Sequence, residues 1–293
     1  MSVTVRVPAT TANMGPGFDS LGCAFALYNR VTFSLSDQTE IVGCDVAFQN
    51  TDNLAYQAFV ATLLYAKVKV PDVKIEIDAD IPVSSGLGSS ASMWVAGAMG
   101  ADRLLKLGLS KQELYEIASR LEGHPDNIAP AVFGGLTAAL MEDKDSCYVA
   151  SYPISPLWKF SAFITRDIQI STQEARRALP TYITHKDAIY NTTHLALLPA
   201  ALMYGDVMLL KKTLKDRLHE PYRTPLIPDF EALKQAALDF GAHAFFLSGS
   251  GPTCMAIYTD DGFLENMKKT VNTLSHSWQV LPLTIDREGV LQI

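Results

Sequence analysis

Val3, Val5 and Val7 alternate with polar residues as far as Pro8, the period of a strand with one buried face. The proline ends that strand or sets it at a sheet edge. The same alternation predicts strands in VTFSL (31–35), VKIEIDADI (73–81), LTAALM (136–141) and FSAFIT (160–165). Helical spacing takes over in NLAYQAFVATLLYAKV (53–68), where Leu54, Ala58, Ala61, Leu64 and Tyr65 mark one face. SMWVAGAMGADRLLKLG (92–108) is apolar nearly all round until Asp102, which predicts a deeply buried helix beginning within the preceding serines. The next helix starts at a capping box, Ser110 with Glu113, buries Leu114, Ile117, Ala118 and Leu121, and stops at Gly123.

EGHPDNIAPAVFGG (122–135) is turn-rich. STQEARRALP (171–180) offers a second capping pair, Ser171 with Glu174, and a stop at Pro180. Residues 185–218 read as helical, LHEPYRTPLIPDF (218–230) as a proline-rich loop, and FEALKQAALDFG (230–241) as an amphipathic helix ending at glycine. AFFLSGSGPTCMAIY (244–258) reads as strand, glycine turn, strand, and FLENMKKTVNTLSH (263–276) as the last helix. Strands and helices mix without a strict βαβα rhythm. The expectation is an α+β chain in two lobes, 1–155 and 156–293.

Composition narrows the function classes. With 48% hydrophobic and 19% charged residues the chain is ordinary globular material, and its net charge of -7 argues against a general nucleic-acid or membrane-surface binder. No apolar run reaches the ~18 residues that span a bilayer, and the N-terminus reads as a strand, not a signal peptide. Cys23, Cys44, Cys147 and Cys254 are too scattered for a zinc site. They read as small hydrophobes in a reducing, cytoplasmic setting.

The chemistry concentrates in IPVSSGLGSSAS (81–92), which follows a strand and opens a helix. A helix N-terminus offers free N–H groups and a partial positive charge, so it suits an anion. Gly86 and Gly88 let backbone approach a phosphate closely, and the serines supply hydroxyls. The lysine of the GxxxxGK[ST] loop is missing. On these residues alone, anion binding and a tightly packed serine N-cap are both open.

PVSSGLGSSAS resembles the nucleotide loop of the GHMP kinases. VPATTANMGPGFDSLG near the N-terminus and FFLSGSGPTCMAI near the C-terminus resemble further motifs of that family, in the expected order. The resemblance implies an ATP-dependent small-molecule kinase. Its first lobe would be like the second domain of ribosomal protein S5, and its second would be ferredoxin-like. Mevalonate-type members open with a lysine-bearing stretch, whereas the first lysine here is Lys67. PATTANMGPGFDSLG, EGHPDNIAP, STQEARRALP and HEPYR are similar instead to the branch whose acceptor is the side-chain hydroxyl of L-homoserine, on the way to threonine.

That resemblance implies a set of site residues. Pro82, Val83, Ser84, Ser85, Gly86, Leu87, Gly88, Ser89, Ser90, Ala91 and Ser92 would form the ATP loop. Arg176 and Arg223 would hold the substrate carboxylate, with Arg177 the adjacent competitor. Asn13 and Asp19 would contact the substrate, Asp19 at its ammonium. His124, Asp126 and Asn127 would stand at the reacting groups, with no general base assigned, because a loose phosphoryl transition state needs little early proton removal. Mg²⁺ would be held by Ser90, or its neighbour Ser89, and by Glu116, with Glu122 a nearby rival; helix spacing alone would instead pair Glu116 with Arg120. The family includes dimers, so a homodimer is a further expectation. Another small alcohol as acceptor, or a silent ligand-binding relative, are the other readings.

Overall fold

The computed structural model describes residues 2–142, 146–165 and 167–293. β1 (Ser2–Asn13) pairs antiparallel with β2 (Gly17–Leu35) along nearly its whole length. Pro8 does not end β1: the register shifts between Pro8 and Ala9, and this bulge carries the strand past the proline into ATTAN. Pro8 still pairs with Tyr28, and β11 meets β1 at Val5 and Arg6 rather than at the proline, the edge-like position in which a strand tolerates one. β3 (Glu40–Val42) and β4 (Val73–Ala79) run parallel, joined through α1 (Leu54–Tyr65).

The face of α1 is not the expected one. Ala55, Ala58, Phe59, Thr62 and Leu63 are buried, while Leu64 and Tyr65 are exposed. A helix apolar on most sides does not announce which side it buries. α2 (Ser89–Leu105) is buried over most of its surface as its composition predicts, and α3 (Lys111–Glu122) has both halves of the Ser110/Glu113 capping box. That cap contributes about 1 kcal/mol. EGHPDNIAPAVFGG contains a short helix, α4 (Ile128–Phe133), rather than turns alone, because Pro130 lies in its first turn, where no N–H is needed. β5 (Leu136–Glu142) pairs with β2 and with β6 (Ser146–Tyr152).

The second half begins with β7 (Lys159–Thr165) and α5 (Thr172–Arg177), where Ser171 accepts from the Glu174 N–H. Two helices follow, α6 (His185–Tyr204) and α7 (Val207–Thr213). The proline-rich loop is partly helical: α8 (Glu220–Arg223) starts with Pro221 in its first turn. α9 (Phe230–Asp239), β8 (Ala244–Leu247), β9 (Cys254–Tyr258), α10 (Gly262–Val271), β10 (Trp278–Leu283) and β11 (Leu291–Gln292) complete the chain.

The described residues form a seven-stranded and a four-stranded sheet, the second in the order β10-β7-β9-β8. The first collects β1 to β6 and, from the far end of the chain, β11, which pairs with β1 at Val5 and Arg6. The chain therefore returns to its first sheet after completing the second. One core lies between the first sheet and α1 to α4, around Phe33, Phe59 and Tyr115. A second lies behind the smaller sheet, and a third joins the two halves, with Phe25 and Phe160 ring centroids 5.3 Å apart. Each such phenylalanine, fully buried, is worth about 1.5–3 kcal/mol. Cys23, Cys147 and Cys254 are buried in these cores as free thiols.

Candidate active site

β4 delivers the chain into the glycine/serine loop, and α2 takes it away. Gly88 precedes α2 at φ 72°, and no side chain caps the helix. The first backbone bond runs from Ser92 N–H to Gly88 O at 2.9 Å, leaving the N–H groups of residues 89–91 without helical partners. Glycine is required twice here. A Cβ on Gly86 (φ 87°) would stand 2.4 Å from the Ser248 carbonyl oxygen, and one on Gly88 would stand 2.0 Å from Thr10 Oγ1. These contacts come from the two flanking motifs, which grip the loop. Ser248 Oγ donates to Gly86 O at 2.6 Å, Thr253 N–H to Ser85 O at 3.0 Å and Thr10 N–H to Leu87 O at 3.1 Å.

The loop borders a cavity of about 380 Å³, lined by Val83, Ser84, Ser85, Gly86, Gly88, Ser89 and Ser90. The other expected loop residues are not brought to it. Leu87 and Ala91 are apolar and sink into the core. Ser92 spends its hydroxyl inside the fold, donating to Ser89 O at 2.7 Å and accepting from Asn29 Nδ2 at 2.8 Å. Pro82 is outside the lining and accepts from Ser85 Oγ at 2.8 Å.

Glu116 is not at the loop. It accepts from Gln112 Nε2 at 2.9 Å on a face of α3 whose Gln112 also reaches the Cys147 carbonyl of β6. Glu122, six residues further along α3, is the carboxylate that reaches the loop. Its Oε1 accepts from Ser90 Oγ at 2.7 Å, its Oε2 from Trp94 Nε1 at 2.6 Å, and it lines the cavity. α3 ends at Gly123, so its last residue, Glu122, comes to the loop while Glu116 lies further back on the helix. Among the described residues no group of three or more histidine, cysteine or carboxylate side chains is arranged to hold a metal by itself.

At the other end of the cavity the two arginines meet the N-terminal motif. Asn13, Asp19, Arg176 and Arg223 all line it, and Arg177 does not, because it projects from a different side of α5. Arg176 forms a bidentate pair with Asp19, 3.1 and 3.0 Å. Both side chains are more than a third exposed, so this pair contributes at most about 1 kcal/mol. Asn13 braces the turn: its Oδ1 accepts from Asp19 N–H at 3.0 Å and its Nδ2 donates to Gly249 O at 2.9 Å. Asn13, Met14 and Asp19 all have positive φ, a backbone shape that asparagine and aspartate accept more readily than most residues. Arg223 is buried, donating to Ala175 O and Gly249 O, and its guanidinium carbon is 5.0 Å from the Phe18 ring centroid. Burial and the nearby Arg176 pull its pKa down.

The HEPYR segment explains how Arg223 is held. Asp216 accepts backbone N–H bonds from Leu218, His219 and Glu220, fixing the start of α8. His219 is fully buried, and that burial pulls its imidazole pKa down; its Nε2 donates to Gly15 O at 2.9 Å while its ring stacks on Phe18. Glu220 accepts from Leu247 N–H at 2.8 Å.

Between the two ends stand His124, Asp126 and Asn127, all lining the cavity. His124 Nδ1 and Asp126 Oδ1 are 2.8 Å apart, and Asp126 Oδ1 also accepts from Asn127 N–H at 3.0 Å. Burial lowers the imidazole pKa, but the Asp126 carboxylate, helped by Glu122 and Asp19, outweighs it and the net shift is upward. Asn127 Oδ1 accepts from Thr10 Oγ1 at 2.8 Å.

Sequence reasoning missed a further part of the cavity wall, in which the mostly apolar Cys44, Phe48, Leu54, Ile77 and Met93 stand with Asp52 and Asn53. The one signal in that stretch is Asn53, which caps α1 by accepting from Ala55 N–H. Phe48 and Val83 remain exposed there, an apolar opening beside a polar loop.

A lysine-free glycine/serine loop at a helix N-terminus, gripped by two distant motifs and sharing one cavity with two arginines, has the make-up of a small-molecule kinase site on a two-lobed α+β fold. Residues 53–135 match the GHMP kinases N terminal domain and residues 196–273 the GHMP kinases C terminal domain. The homoserine kinase of Microchaete diplosiphon is 42% identical over 97% of this chain and 93% of its own length. That of Clostridium beijerinckii is 41% identical over 98% of this chain and 97% of its own. The crystal structure of homoserine kinase from Cytophaga hutchinsonii superposes with a TM-score of 0.91 at 29% identity, covering 100% of this chain and 97% of that one. Leishmania major mevalonate kinase, at 17% identity, shares the fold with a TM-score of 0.73 over 96% of this chain and 95% of its own. The chain belongs to the GHMP kinase family and, within it, to the homoserine kinases.

Proposed function

We propose that this cleft transfers the γ-phosphoryl group of ATP to the side-chain hydroxyl of L-homoserine, yielding ADP and O-phospho-L-homoserine, a step of threonine biosynthesis. The observation that carries the reading is the convergence of Arg176, Arg223 and Asp19 on the cavity that the glycine/serine loop borders. An α-amino acid needs a guanidinium fork for its carboxylate and a carboxylate for its ammonium, and this end of the cavity offers both. The loop N–H groups and the α2 dipole would hold phosphate oxygens. The mostly apolar wall of Phe48, Leu54 and Met93 suits a flat nucleobase. Residues 1–155 would then carry the nucleotide and 156–293 would close the acceptor end.

Mg²⁺ fits the residues present. A serine hydroxyl and a carboxylate oxygen, Ser90 Oγ and Glu122 Oε1, are hard ligands next to the phosphate loop, and a magnesium ion takes one or two such groups plus phosphate oxygens. When bound it would neutralise charge on the β- and γ-phosphates. Trp94 fixes the Glu122 carboxylate from its other oxygen. His124 and Asp126 would position the acceptor hydroxyl, and direct attack on phosphorus needs no protein base.

The described residues contain no helix long and apolar enough to cross a membrane, which is compatible with a cytoplasmic enzyme. A homodimer also has a surface to support it: on α6, Ile189, Leu197 and Tyr204 are 63%, 49% and 75% exposed at helical spacing. Sedimentation of wild type against Leu197→Glu tests that part separately.

Calorimetry with a non-hydrolysable ATP analogue tests the acceptor assignment. L-Homoserine should bind, while 4-hydroxybutanoate, lacking the ammonium, and 3-aminopropan-1-ol, lacking the carboxylate, should each bind at least about tenfold more weakly. Equal binding of all three would remove the acceptor assignment.

A further inference from the structure

Thr10 belongs to none of the groups that the proposed reaction uses, yet it sits where the loop and the reacting end meet. It is fully buried on β1. Its side chain occupies the space that a Cβ on Gly88 would need, with Oγ1 2.0 Å from that point. Its backbone N–H holds Leu87 O at 3.1 Å. The hydroxyl proton has one acceptor, Asn127 Oδ1, at 2.8 Å.

This bond decides what Asn127 can do. Its backbone is fixed from both sides, the N–H to Asp126 Oδ1 and the carbonyl to Ala131 N–H. With Oδ1 taken by Thr10, the remaining polar group of the amide is Nδ2, on a residue that lines the cavity. The opposite orientation would aim a carbonyl oxygen at phosphate oxygens and is disfavoured by charge. We propose that Thr10 is a positioning residue that locks the Asn127 amide with its N–H₂ toward the transferred phosphoryl group. Asn127 is then a hydrogen-bond donor to developing negative charge, not a proton acceptor. The bond is formed before substrate arrives, so no reorganisation is needed as charge moves.

The inference rests on the reading of this cleft as the phosphoryl-transfer site, and a double-mutant cycle separates the two. Thr10→Val keeps the shape and removes the hydroxyl; Thr10→Ser keeps the hydroxyl. Steady-state kinetics of the full-length enzyme with ATP and L-homoserine should show kcat falling about tenfold or more in Thr10→Val, with both KM values within about twofold. Thr10→Ser should recover most of kcat, which a purely structural role of the methyl group would not produce. In an Asn127→Ala background, Thr10→Val should change kcat by less than about twofold. Equal losses in both backgrounds, or a change confined to KM, would overturn the positioning role while leaving the site intact. An Asn127→Ala enzyme with unchanged kcat would overturn the positioning role and the placement of Asn127 at the reacting groups together.

Discussion

Ser90 Oγ donates to Glu122 Oε1 at 2.7 Å, tying the first turn of α2 to the last turn of α3 at the edge of the glycine/serine loop. Two carboxylates on one helix are thereby distinguished: Glu122 faces the cavity and Glu116 faces β6. Glu122→Gln should lower kcat by about 10²- to 10³-fold and raise the Mg²⁺ concentration needed for half-maximal rate, the scale seen when an electrostatic contact to the transition state is removed. Glu116→Gln should stay within about twofold of wild type. A magnesium titration of both variants decides between them, and the opposite ranking would restore Glu116.

Arg176 and Arg177 are neighbours in sequence with different surroundings. Arg176→Lys removes a planar fork and should raise the KM for L-homoserine about 10- to 100-fold with little change for ATP. Arg177→Lys should leave both unchanged. Initial rates at varied homoserine and saturating ATP measure this directly.

The loop glycines are held by their neighbours as much as by their own torsions. Gly86→Ala would push a methyl group to 2.4 Å from the Ser248 carbonyl oxygen, and its positive φ adds strain of about 1 kcal/mol or more. The expected result is a loss of ATP-analogue affinity of more than about tenfold and a lower melting temperature, read by calorimetry and thermal unfolding.

Glu220 supplies a pH prediction for stability. Burial raises its pKa to about 7, against the lowering effect of the Leu247 N–H bond. In the unfolded chain the same carboxyl ionises near ~4.3. Its contribution is therefore fully present below that range and is lost as pH rises through about 7. The loss is on the order of 3 kcal/mol. Urea midpoints between pH 5 and 8 should fall more steeply for wild type than for Glu220→Gln, which keeps an acceptor for Leu247 but cannot ionise. Parallel slopes would contradict this assignment.

Much of this site was legible in the sequence because its residues sit in motifs whose shape demands particular side chains. Asn13 and Asp19 occupy positive-φ turns, Gly86 and Gly88 are pressed against other backbone or buried side chains, and Ser110 with Glu113 closes a cap through local bonds. What escaped depended on distant packing. Glu122, read only as a rival to Glu116, is brought to the cavity by where α3 ends relative to the loop, a relation that spacing along one segment does not contain. The cavity walls of Phe48, Leu54 and Met93 come from three separate segments with no pattern of their own. The strand at Leu291–Gln292 is too short to show a period, and its place beside β1 is a consequence of the whole fold. Pro8 does not end β1 for a similar reason: the continuation past it through a bulge is set by the partner strand.

The central claim is that this cleft phosphorylates L-homoserine, and product analysis tests it most directly. Phosphorus NMR of a reaction containing ATP, Mg²⁺ and an equimolar panel of L-homoserine, mevalonate and galactose should show one new phosphomonoester, that of O-phospho-L-homoserine, growing in step with ADP. A phosphoester of mevalonate or galactose in its place, or ATP bound with no new ester at all, would contradict the account.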